Sequence, residues 1–346
     1  MKNIVLHVLN TSQFSGAENV ACQIIKMYKN DTNYKMVYCS LDGQIRDILQ
    51  NEGIEFIPIK KMSIRELKKV IDKIKPTIIH AHDMRASFFV SVSCGEVPFV
   101  CHVHNNGFDS RKLNLKVLLF NYATKKARHI FWVSKAAKDG YYYRNLIKDK
   151  SSILYNVVDV EEIRRKADIN SDAIQYDVIF LGRLSYEKDP LRLIDVISDI
   201  VRSNKMVKVA IIGKGPLEDE VNKKIMRLGL SKNIDMLGFQ NNPYPFLKNS
   251  KLMVMTSLWE GLPMCALEAI SLGIPIVSTP TDGLCELVVD GKTGFLSNVN
   301  KELANKIILL CNNNDLREKM SVATLEQAEK LLDLKKYKEE LSAYYE

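Results

Sequence analysis

Short apolar runs alternate with amphipathic stretches along all 346 residues of the chain. The apolar runs have strand length and few polar interruptions, which is typical of strands buried on both faces of a parallel sheet. They predict strands at residues 4–9, 36–39, 54–59, 77–82, 99–104, 130–133, 152–155, 177–181, 207–212, 234–237, 252–255 and 274–277. Apolar positions three and four apart predict helices at residues 17–28, 64–74, 113–126, 190–202, 216–228 and 301–311.

The alternation is interrupted at residues 157–175, which are polar, charged and poorly periodic. A chain of this length also exceeds a comfortable single core. We therefore predict an α/β protein with two doubly wound, Rossmann-like domains, residues 1–165 and 166–346, joined by a linker. In such domains ligands bind at the carboxyl ends of the strands, so the loops there should carry the chemistry.

Composition is ordinary for a soluble protein, with 46% hydrophobic and 26% charged residues. The seven cysteines include no Cys-x-x-Cys pair, which favours reduced thiols over a disulfide framework. No apolar run approaches the roughly 20 residues that a membrane span needs. The first apolar run is typical of a strand and not of a signal peptide, so we expect a cytoplasmic protein.

Positive charge is concentrated in the first domain. Residues 1–165 contain 26 Lys and Arg against 16 Asp and Glu, a net charge of +10, and the rest of the +8 chain therefore carries −2. This asymmetry indicates an anionic partner such as a membrane surface. The basic stretches at residues 60–75 and 111–128 are equally typical of amphipathic surface helices with solvated lysines. Nucleic acid is not expected, because no recognisable binding motif accompanies the basic residues.

Residues 253–273 combine a strand, a glycine turn and the start of a helix. Pro263 suits the first helical position, and Gly273 suits the end of the helix. Unpaired N–H groups at a helix N-terminus favour anions. Glu260 lies before the helix and Glu268 inside it, so the two carboxylates could contact two parts of one ligand. Glutamates at this spacing are also common as solvated helix charges.

Glycines recur in the other loops that follow predicted strands. Arg183 and Lys188 lie in the loop after the first strand of the second domain and supply two cations. Glycine lets backbone approach a ligand closely, and two cations near a helix N-terminus suit a diphosphate. The loops concerned are residues 14–18, 182–188, 213–217, 238–240 and 281–286.

Taken in order, these motifs resemble family 4 of the retaining glycosyltransferases, which have the GT-B fold. The matching motifs are Gly-Ala-Glu at 16–18, a histidine at 104, Gly-Arg-Leu-x-x-Glu-Lys at 182–188, Gly-x-Gly-Pro-Leu at 213–217, Gly-Phe at 238–239, Glu-Gly-Leu-Pro at 260–263 and Asp-Gly-Leu-x-Glu at 282–286. The resemblance implies two Rossmann-like domains facing a central cleft, the first binding an acceptor and the second a nucleotide-sugar donor. It also implies that the last helix packs back on the first domain.

Four residues are catalytic by this resemblance. Arg183 and Lys188 resemble the pair that neutralises the donor diphosphate. Glu260 resembles the residue that holds the donor sugar and its phosphate, and His104 the histidine beside the reacting centre.

A larger set is implied to bind the donor. Glu268 resembles the ribose-binding glutamate, and Gly16 the glycine that lets a loop close over the phosphates. For Glu286, a position near the donor and a simple helix cap are both open. The full set is Gly16, Gly182, Gly213, Gly215, Phe239, Gly261, Leu262, Pro263, Met264, Glu268 and Glu286.

The resemblance implies transfer of a sugar from a nucleotide-sugar, most simply a UDP-sugar, with retention of configuration. The acceptor would be a glycan or an undecaprenyl-linked glycan in the synthesis of a cell-surface polysaccharide such as a capsule or exopolysaccharide. No metal or other cofactor is expected. The protein would be cytoplasmic, with a peripheral position on the inner face of the cell membrane as a further hypothesis.

Other functions compete with this one. A GT-B epimerase or phosphorylase acting on related sugars would share the motifs, as would a binding-only module. A metal-dependent hydrolase is the rival of another chemical type, because His80 and His82, and likewise His102 and His104, alternate along strands and could chelate zinc. His80 and His102 could instead line the acceptor cleft or be satisfied core residues.

Overall fold

The computed structural model describes residues 2–104, 108–169 and 175–346. The chain divides into two compact units. Unit 1 comprises Met1–Val157 and Asp333–Glu346, and unit 2 comprises Val158–Leu332.

Both units are built on parallel strands. In the described ranges the strands are β1 (Asn3–Val8), β2 (Tyr34–Leu41), β3 (Phe56–Ile59), β4 (Ile78–His82), β5 (Phe99–Val103), β6 (His129–Trp132), β7 (Ser151–Ile153), β8 (Tyr176–Leu181), β9 (Val209–Ile212), β10 (Ile234–Gly238), β11 (Ser250–Met255), β12 (Ile276–Ser278) and β13 (Gly294–Leu296). The sheet of unit 1 has the order β3-β2-β1-β4-β5-β6-β7, and that of unit 2 the order β10-β9-β8-β11-β12-β13. All the neighbouring strands in both sheets run parallel.

Helices connect these strands and cover the sheets. Where the structure describes the chain, they are α1 (Gly16–Met27), α2 (Ile45–Asn51), α3 (Ile64–Ile74), α4 (Asp83–Ser93), α5 (Leu115–Lys126), α6 (Lys135–Asp139), α7 (Val160–Ala167), α8 (Pro190–Ser203), α9 (Glu218–Arg227), α10 (Tyr244–Lys248), α11 (Met264–Ser271), α12 (Asp282–Leu287), α13 (Asn300–Asn312), α14 (Asn314–Leu331) and α15 (Leu334–Tyr345). Each of these helices is too short or too polar to cross a bilayer.

The strand order puts a topological switch point at the centre of each sheet. In unit 1 the chain runs outward in both directions from β1 and β4, and in unit 2 from β8 and β11. Loops leaving two such strands diverge, which opens a crevice at their carboxyl ends. The central strands of both pairs are largely buried, and β4 is buried at all five positions although two of them are histidines.

The predicted strands and helices are confirmed, with ends that shift by a few residues. Strand β13 was not predicted, because it has three residues and begins at Gly294. A side chain there would place its Cβ 1.9 Å from the carbonyl oxygen of Ile276 on the neighbouring strand. Helix α4 escaped prediction for another reason: its buried residues lie all around it, so the amphipathic period is missing.

The boundary between the units differs from the predicted one at residues 165 and 166. It falls between Val157 and Val158, because α7 lies within the stretch interpreted as a linker and packs against α10 and α11 of unit 2. Residues 170–174 of that stretch lie outside the described part of the chain. At the other end, α15 belongs to unit 1, where Tyr28 Oη donates a hydrogen bond to the carbonyl oxygen of Lys338 at 3.1 Å.

Candidate active site

The loops that follow β8 and β11 are tied together at the switch point of unit 2. The backbone N–H of Leu258 donates to the carbonyl oxygen of Glu187 at 2.8 Å. The hydroxyl of Thr256 donates to the carbonyl oxygens of Lys188 and Asp189, at 3.2 and 3.0 Å. These bonds hold the loop that carries Lys188 against the loop that carries Glu260.

Lys188 and Glu260 form an ion pair in this crevice. Lys188 Nζ lies 2.5 Å from Glu260 Oε1, and their side chains are only 17% and 9% exposed. The hydroxyl of Ser257 donates to the same oxygen at 2.6 Å. Burial is the largest single influence and lowers the pKa of Lys188. The charge and hydrogen bond of Glu260, together with nearby Cys265 and Glu187, outweigh burial, so the net shift of the pKa is upward and the amine is a cation. Lys188 and Glu260 were predicted to contact different parts of the donor, whereas in the structure they contact each other.

Helix α11 begins beside this ion pair. Pro263 was predicted to be the first residue of this helix. In the structure the helix begins one residue later, at Met264, and Pro263 is the residue that precedes it. Gly261, Leu262, Pro263 and Met264 are all buried. The first N–H groups of a helix carry the positive end of its dipole, so this end of α11 favours an anion.

Glu268 lies in the second turn of α11 and is 8% exposed. Burial raises the pKa of this carboxyl from 4.5 to about 7, and a hydrogen bond from Tyr244 Oη to Oε1, 3.4 Å long, opposes the shift. At neutral pH the group therefore lies close to its own titration point. A ligand hydroxyl that donates to the carboxylate would favour its charged form.

Several glycines of this region allow the backbone of one loop to lie directly against the backbone of another loop. Gly213 has a φ of +136°, and a Cβ there would lie 1.9 Å from the carbonyl oxygen of Gly182. A Cβ on Gly283, at the start of α12, would lie 2.0 Å from the carbonyl oxygen of Gly261. Glycines in these loops were predicted to allow close approach of a ligand, but Gly213 and Gly283 instead allow one loop to pack against the next. A Cβ on Gly215 would lie 2.3 Å from the carbonyl oxygen of Leu184, so this position also requires glycine.

The remaining predicted residues occupy more open positions. Arg183 is exposed in the loop after β8, and Phe239 is 58% exposed after β10. Glu286 is the fifth residue of α12, and Thr281 is the residue before that helix, so the interpretation of Glu286 as a helix cap is wrong. In unit 1, Gly16 is the first residue of α1, and a Cβ there would meet no atom within 4 Å among the described residues.

Five histidines stack against one another at the switch point of unit 1. His7 on β1 is paired in register with His80 on β4, and His82 on β4 with His102 on β5. His104 follows β5, and its ring centroid lies 4.2 Å from that of His102. Residues two apart on a strand share a face, which explains why the rings meet. We call these five residues the histidine stack.

Two hydrogen bonds run along the histidine stack. His7 Nδ1 lies 3.0 Å from His82 Nε2, and His82 Nδ1 lies 2.8 Å from His104 Nε2. At its inner end His80 Nδ1 lies 2.6 Å from Tyr345 Oη on α15. Burial lowers the pKa of all five, to about 3 for His7 and His104, so the rings are neutral near pH 7.

The histidine stack is not fully satisfied. Among the described residues, both ring nitrogens of His102 are buried without a hydrogen-bond partner, as are His7 Nε2, His80 Nε2 and His104 Nδ1. The interpretation of His102 as a core residue with satisfied hydrogen bonds is therefore wrong. For His80 it holds for Nδ1, which pairs with Tyr345, but not for Nε2.

Comparison with known proteins decides the family. The family described as Glycosyltransferase Family 4 matches residues 34–162, and the one described as Glycosyl transferases group 1 matches residues 159–327. The chain belongs to glycosyltransferase family 4. It is a glycosyltransferase of the hexosyltransferase type.

Relatives of this glycosyltransferase cover most of its length. It is 27% identical over 326 residues to the UDP-Gal:α-D-GlcNAc-diphosphoundecaprenol α-1,3-galactosyltransferase of Escherichia coli, covering 86% of this chain and 84% of that one. It is 25% identical to the capsular polysaccharide biosynthesis glycosyltransferase CapH of Staphylococcus aureus, covering 77% and 78%. With an uncharacterised glycosyltransferase of Methanocaldococcus jannaschii, MJ1059, it shares 29% identity over 66% of this chain and 63% of the relative.

Solved structures match the whole chain. Anabaena HepE in complex with UDP-glucose superposes with a TM-score of 0.85 at 20% identity, covering 99% of this chain and 98% of that one. Staphylococcus aureus TarM superposes with a TM-score of 0.80 at 13% identity over 100% of both chains. The glycosyltransferase therefore has the predicted GT-B fold.

Several residues of the site were not predicted for this glycosyltransferase. Ser257 stands three residues before Glu260, a spacing that allows the observed side-chain contact in a turn. Tyr244 reaches Glu268 from another helix, and nothing local in the sequence indicates that contact. His7 lies far along the chain from the two His-x-His pairs, so only the pairing of β1 with β4 brings it to them.

Proposed function

We propose that this glycosyltransferase transfers a sugar from a UDP-sugar to a glycan or lipid-linked glycan in the synthesis of a cell-surface polysaccharide. The observation that carries the proposal is the buried Lys188–Glu260 pair at the N-terminus of α11, on the switch point of unit 2. The printed names of relatives support the donor and the acceptor: one uses UDP-Gal and an undecaprenol-linked acceptor, and one serves capsular polysaccharide synthesis. HepE was crystallised with UDP-glucose.

In this proposal the leaving diphosphate binds where positive charge is already fixed. An ammonium has three N–H donors and Glu260 accepts from one, so Lys188 can still donate to a phosphate oxygen. The N–H groups of α11 and the exposed Arg183 add donors without reorganising as the bond breaks. Glu260, oriented by Lys188 and Ser257, would accept hydrogen bonds from the donor sugar, and Glu268 from the ribose hydroxyls.

We further propose retention of configuration. The bond from the sugar C1 to the phosphate oxygen breaks, and the acceptor oxygen bonds to C1 on the same face. The acceptor proton passes to the leaving phosphate, so the electrons and the charge balance without a protein nucleophile. The role of His104 beside the reacting centre, the loop closure at Gly16 and the donor contacts of Phe239 and Glu286 stay predictions, as does the independence from metal ions.

The outward face of α5 supports a membrane surface as the second partner. Its inner face is buried through Val117 and Phe120, yet its outer face is also apolar. Leu115, Leu118 and Tyr122 are 69%, 46% and 44% exposed, at the spacing of one helical face. Exposed lysines at positions 112, 116, 125 and 126 surround them. An apolar stripe bordered by lysines suits an anionic bilayer, in which a lipid-linked acceptor would reside.

Nucleotide-sugar binding and transfer test the proposal. A thermal-shift screen against UDP-, GDP- and ADP-sugars should show stabilisation by UDP and its sugars above the others, because a ligand that binds only the folded state raises its stability. Transfer should then proceed to a diphosphoundecaprenol-linked sugar, retain the anomeric configuration by NMR and withstand EDTA. Stabilisation by none of the nucleotides, with no transfer, would reject the function.

A further inference from the structure

The outer end of the histidine stack brings together three imidazole rings. One ring nitrogen each of His82, His102 and His104 lies within 4.8 Å of the other two. The ring centroids of His82 and His104 are 5.1 Å apart, and those of His82 and His102 are 5.7 Å apart. Two strands and the start of one loop hold these rings, so their placement is set by the sheet.

Buried polar atoms without a partner need an explanation, because most buried ring nitrogens in native proteins are hydrogen-bonded. In the described part of the chain, His102 has two such nitrogens and His104 one. A donor or acceptor left unsatisfied in the interior is destabilising, because the group has lost its hydration without gaining a partner. A bound ion that takes up nitrogen lone pairs would remove part of this cost.

We propose that His82, His102 and His104 form a binding site for one Zn²⁺ ion. Zinc bonds to imidazole nitrogen at about 2.0–2.1 Å, which in a tetrahedron separates two ligand nitrogens by about 3.3 Å. His82 Nδ1 and His104 Nε2 already lie 2.8 Å apart, so small side-chain rotations replace their hydrogen bond with two bonds to the ion. Nitrogen ligands exclude Mg²⁺ and Ca²⁺, which prefer oxygen.

His7 supplies the outer partner that zinc ligands use. When His82 binds the ion through Nδ1, its Nε2–H donates to His7 Nδ1, which lies 3.0 Å away. A hydrogen bond of this kind fixes the tautomer and the ring orientation of a ligand histidine. The alternative triad, His7, His80 and His82, is buried at all three positions and therefore offers no route for an ion or a water.

His104 gives this site an opening, because it is only partly buried. Three protein ligands with one position left to water are the arrangement of an open zinc site. The backbone of His104 is also fixed, because its N–H donates a hydrogen bond to the buried carboxyl of Asp83.

Metal content of the untagged full chain tests the site without any use of transfer activity, so its outcome is separate from that of the proposed function. After dialysis against Zn²⁺ and then buffer, about one Zn²⁺ per chain should remain. Co²⁺ should replace it with the intense visible absorption of tetrahedral coordination. His104→Ala and His102→Gln should each weaken binding at least about 10-fold.

His129→Gln is the matched control, because His129 lies in the same sheet but pairs with Ser152, outside the histidine stack. This variant should bind zinc like the parent, and circular dichroism should show that all three variants fold. Absence of retained zinc in the parent chain, a weak octahedral cobalt spectrum, or an equal loss in His129→Gln would overturn the proposal. If His102→Gln does not fold, the zinc content of His104→Ala tests the proposal, because His104 is only partly buried and its substitution should be tolerated.

Discussion

The Lys188–Glu260 ion pair should affect both the free energy of unfolding and the binding of UDP. Removing one partner of a buried ion pair leaves the other charge without compensation, which typically costs 3–5 kcal/mol. Lys188→Ala should therefore lower the free energy of unfolding by about that amount, measured by urea denaturation, and should also weaken UDP binding. The double variant Lys188→Met with Glu260→Gln should be less destabilised than Lys188→Ala, because it buries no lone charge.

Lys69→Ala provides the comparison for an exposed pair. Lys69 contacts Glu66 at 3.0 Å on the surface of α3, and its side chain is 61% exposed. Its loss should change the unfolding free energy by no more than about 1 kcal/mol. Equal effects of Lys188→Ala and Lys69→Ala would show that the buried pair is not formed in solution.

Glu268 should make the stability of the ligand-free protein depend on pH. Its folded-state pKa of about 7 lies above the ordinary value of 4.5, so the folded state binds the proton more tightly. That contribution is complete below about pH 4.5 and is lost as pH rises through about 7, a change of about 3 kcal/mol. Glu268→Gln removes the titration, so its stability relative to the parent should rise between pH 5.5 and pH 8 in urea denaturation.

Nucleotide affinity should show the opposite trend at the same residue. If ribose hydroxyls donate to the carboxylate, the affinity of the parent chain for UDP should increase from pH 6 to pH 8 in calorimetry. The affinity of Glu268→Gln should change less over this range. A stability difference that stays constant with pH would contradict the burial of Glu268.

At the scale of elements, the site depends on α12 lying close to the loop before α11. Gly283→Ala places a Cβ against backbone atoms of Gly261 and Leu262, which cannot rotate away. Overpacking of this kind costs about 1–3 kcal/mol, and the loop must also shift. The melting temperature and the affinity for UDP should both fall.

Gly16→Ala is the matched control for the melting temperature only, because it also introduces a methyl group at the start of a helix, whereas its effect on UDP affinity belongs to the predicted donor-binding role of Gly16. The new Cβ meets open space among the described residues, and α1 should be as stable or slightly more stable. An unchanged UDP affinity in Gly283→Ala would show that the loop before α11 does not contact the donor.

Helix α5 should bind membranes through its outer face. Leu115→Glu with Leu118→Glu replaces two exposed leucines by acids, which anionic lipid repels. The parent chain should sediment with vesicles of phosphatidylglycerol and phosphatidylcholine at low salt, and release at high salt, because the attraction is screened. The double variant should stay in the supernatant.

The control for this experiment places the same charge on other exposed apolar residues. Leu309 on α13 and Val322 on α14 are 39% and 57% exposed in unit 2. Leu309→Glu with Val322→Glu should sediment like the parent. Sedimentation of both double variants, or of neither the parent nor the control, would refute docking through α5.

Secondary structure was predictable wherever one period dominated a segment. Central strands such as β11 are mostly apolar and buried along their length, and α8 buries one face. Helix α7 is hard to distinguish from a linker in the sequence, because five of its eight residues are charged and lie in its first and last turns, and its core contact is made by Ile163 and Ala167 alone. Helix α5 was predicted, but the sequence does not show which of its leucines are exposed, because that depends on which face of the helix packs against the core.

At the scale of the whole molecule, the family and its two-unit fold followed from motifs taken in order along the chain. The individual contacts did not follow. Lys188 and Glu260 are 72 positions apart, and the hydrogen bond between His7 and His82 spans 75. Such pairs are set by strand order, which the sequence pattern alone does not specify. The charge asymmetry of +10 in the first domain against −2 in the second can be counted from the sequence. The sequence alone does not show that the outer face of α5 is the surface that would bind an anionic membrane.

A crystal structure with bound UDP is the most direct test of the central claim that unit 2 binds the donor at the carboxyl ends of β8 and β11. The diphosphate should lie within hydrogen-bonding distance of Lys188 Nζ and the first N–H groups of α11, with the ribose hydroxyls on Glu268. A nucleotide bound away from that crevice, with Lys188 still paired only to Glu260, would contradict the claim.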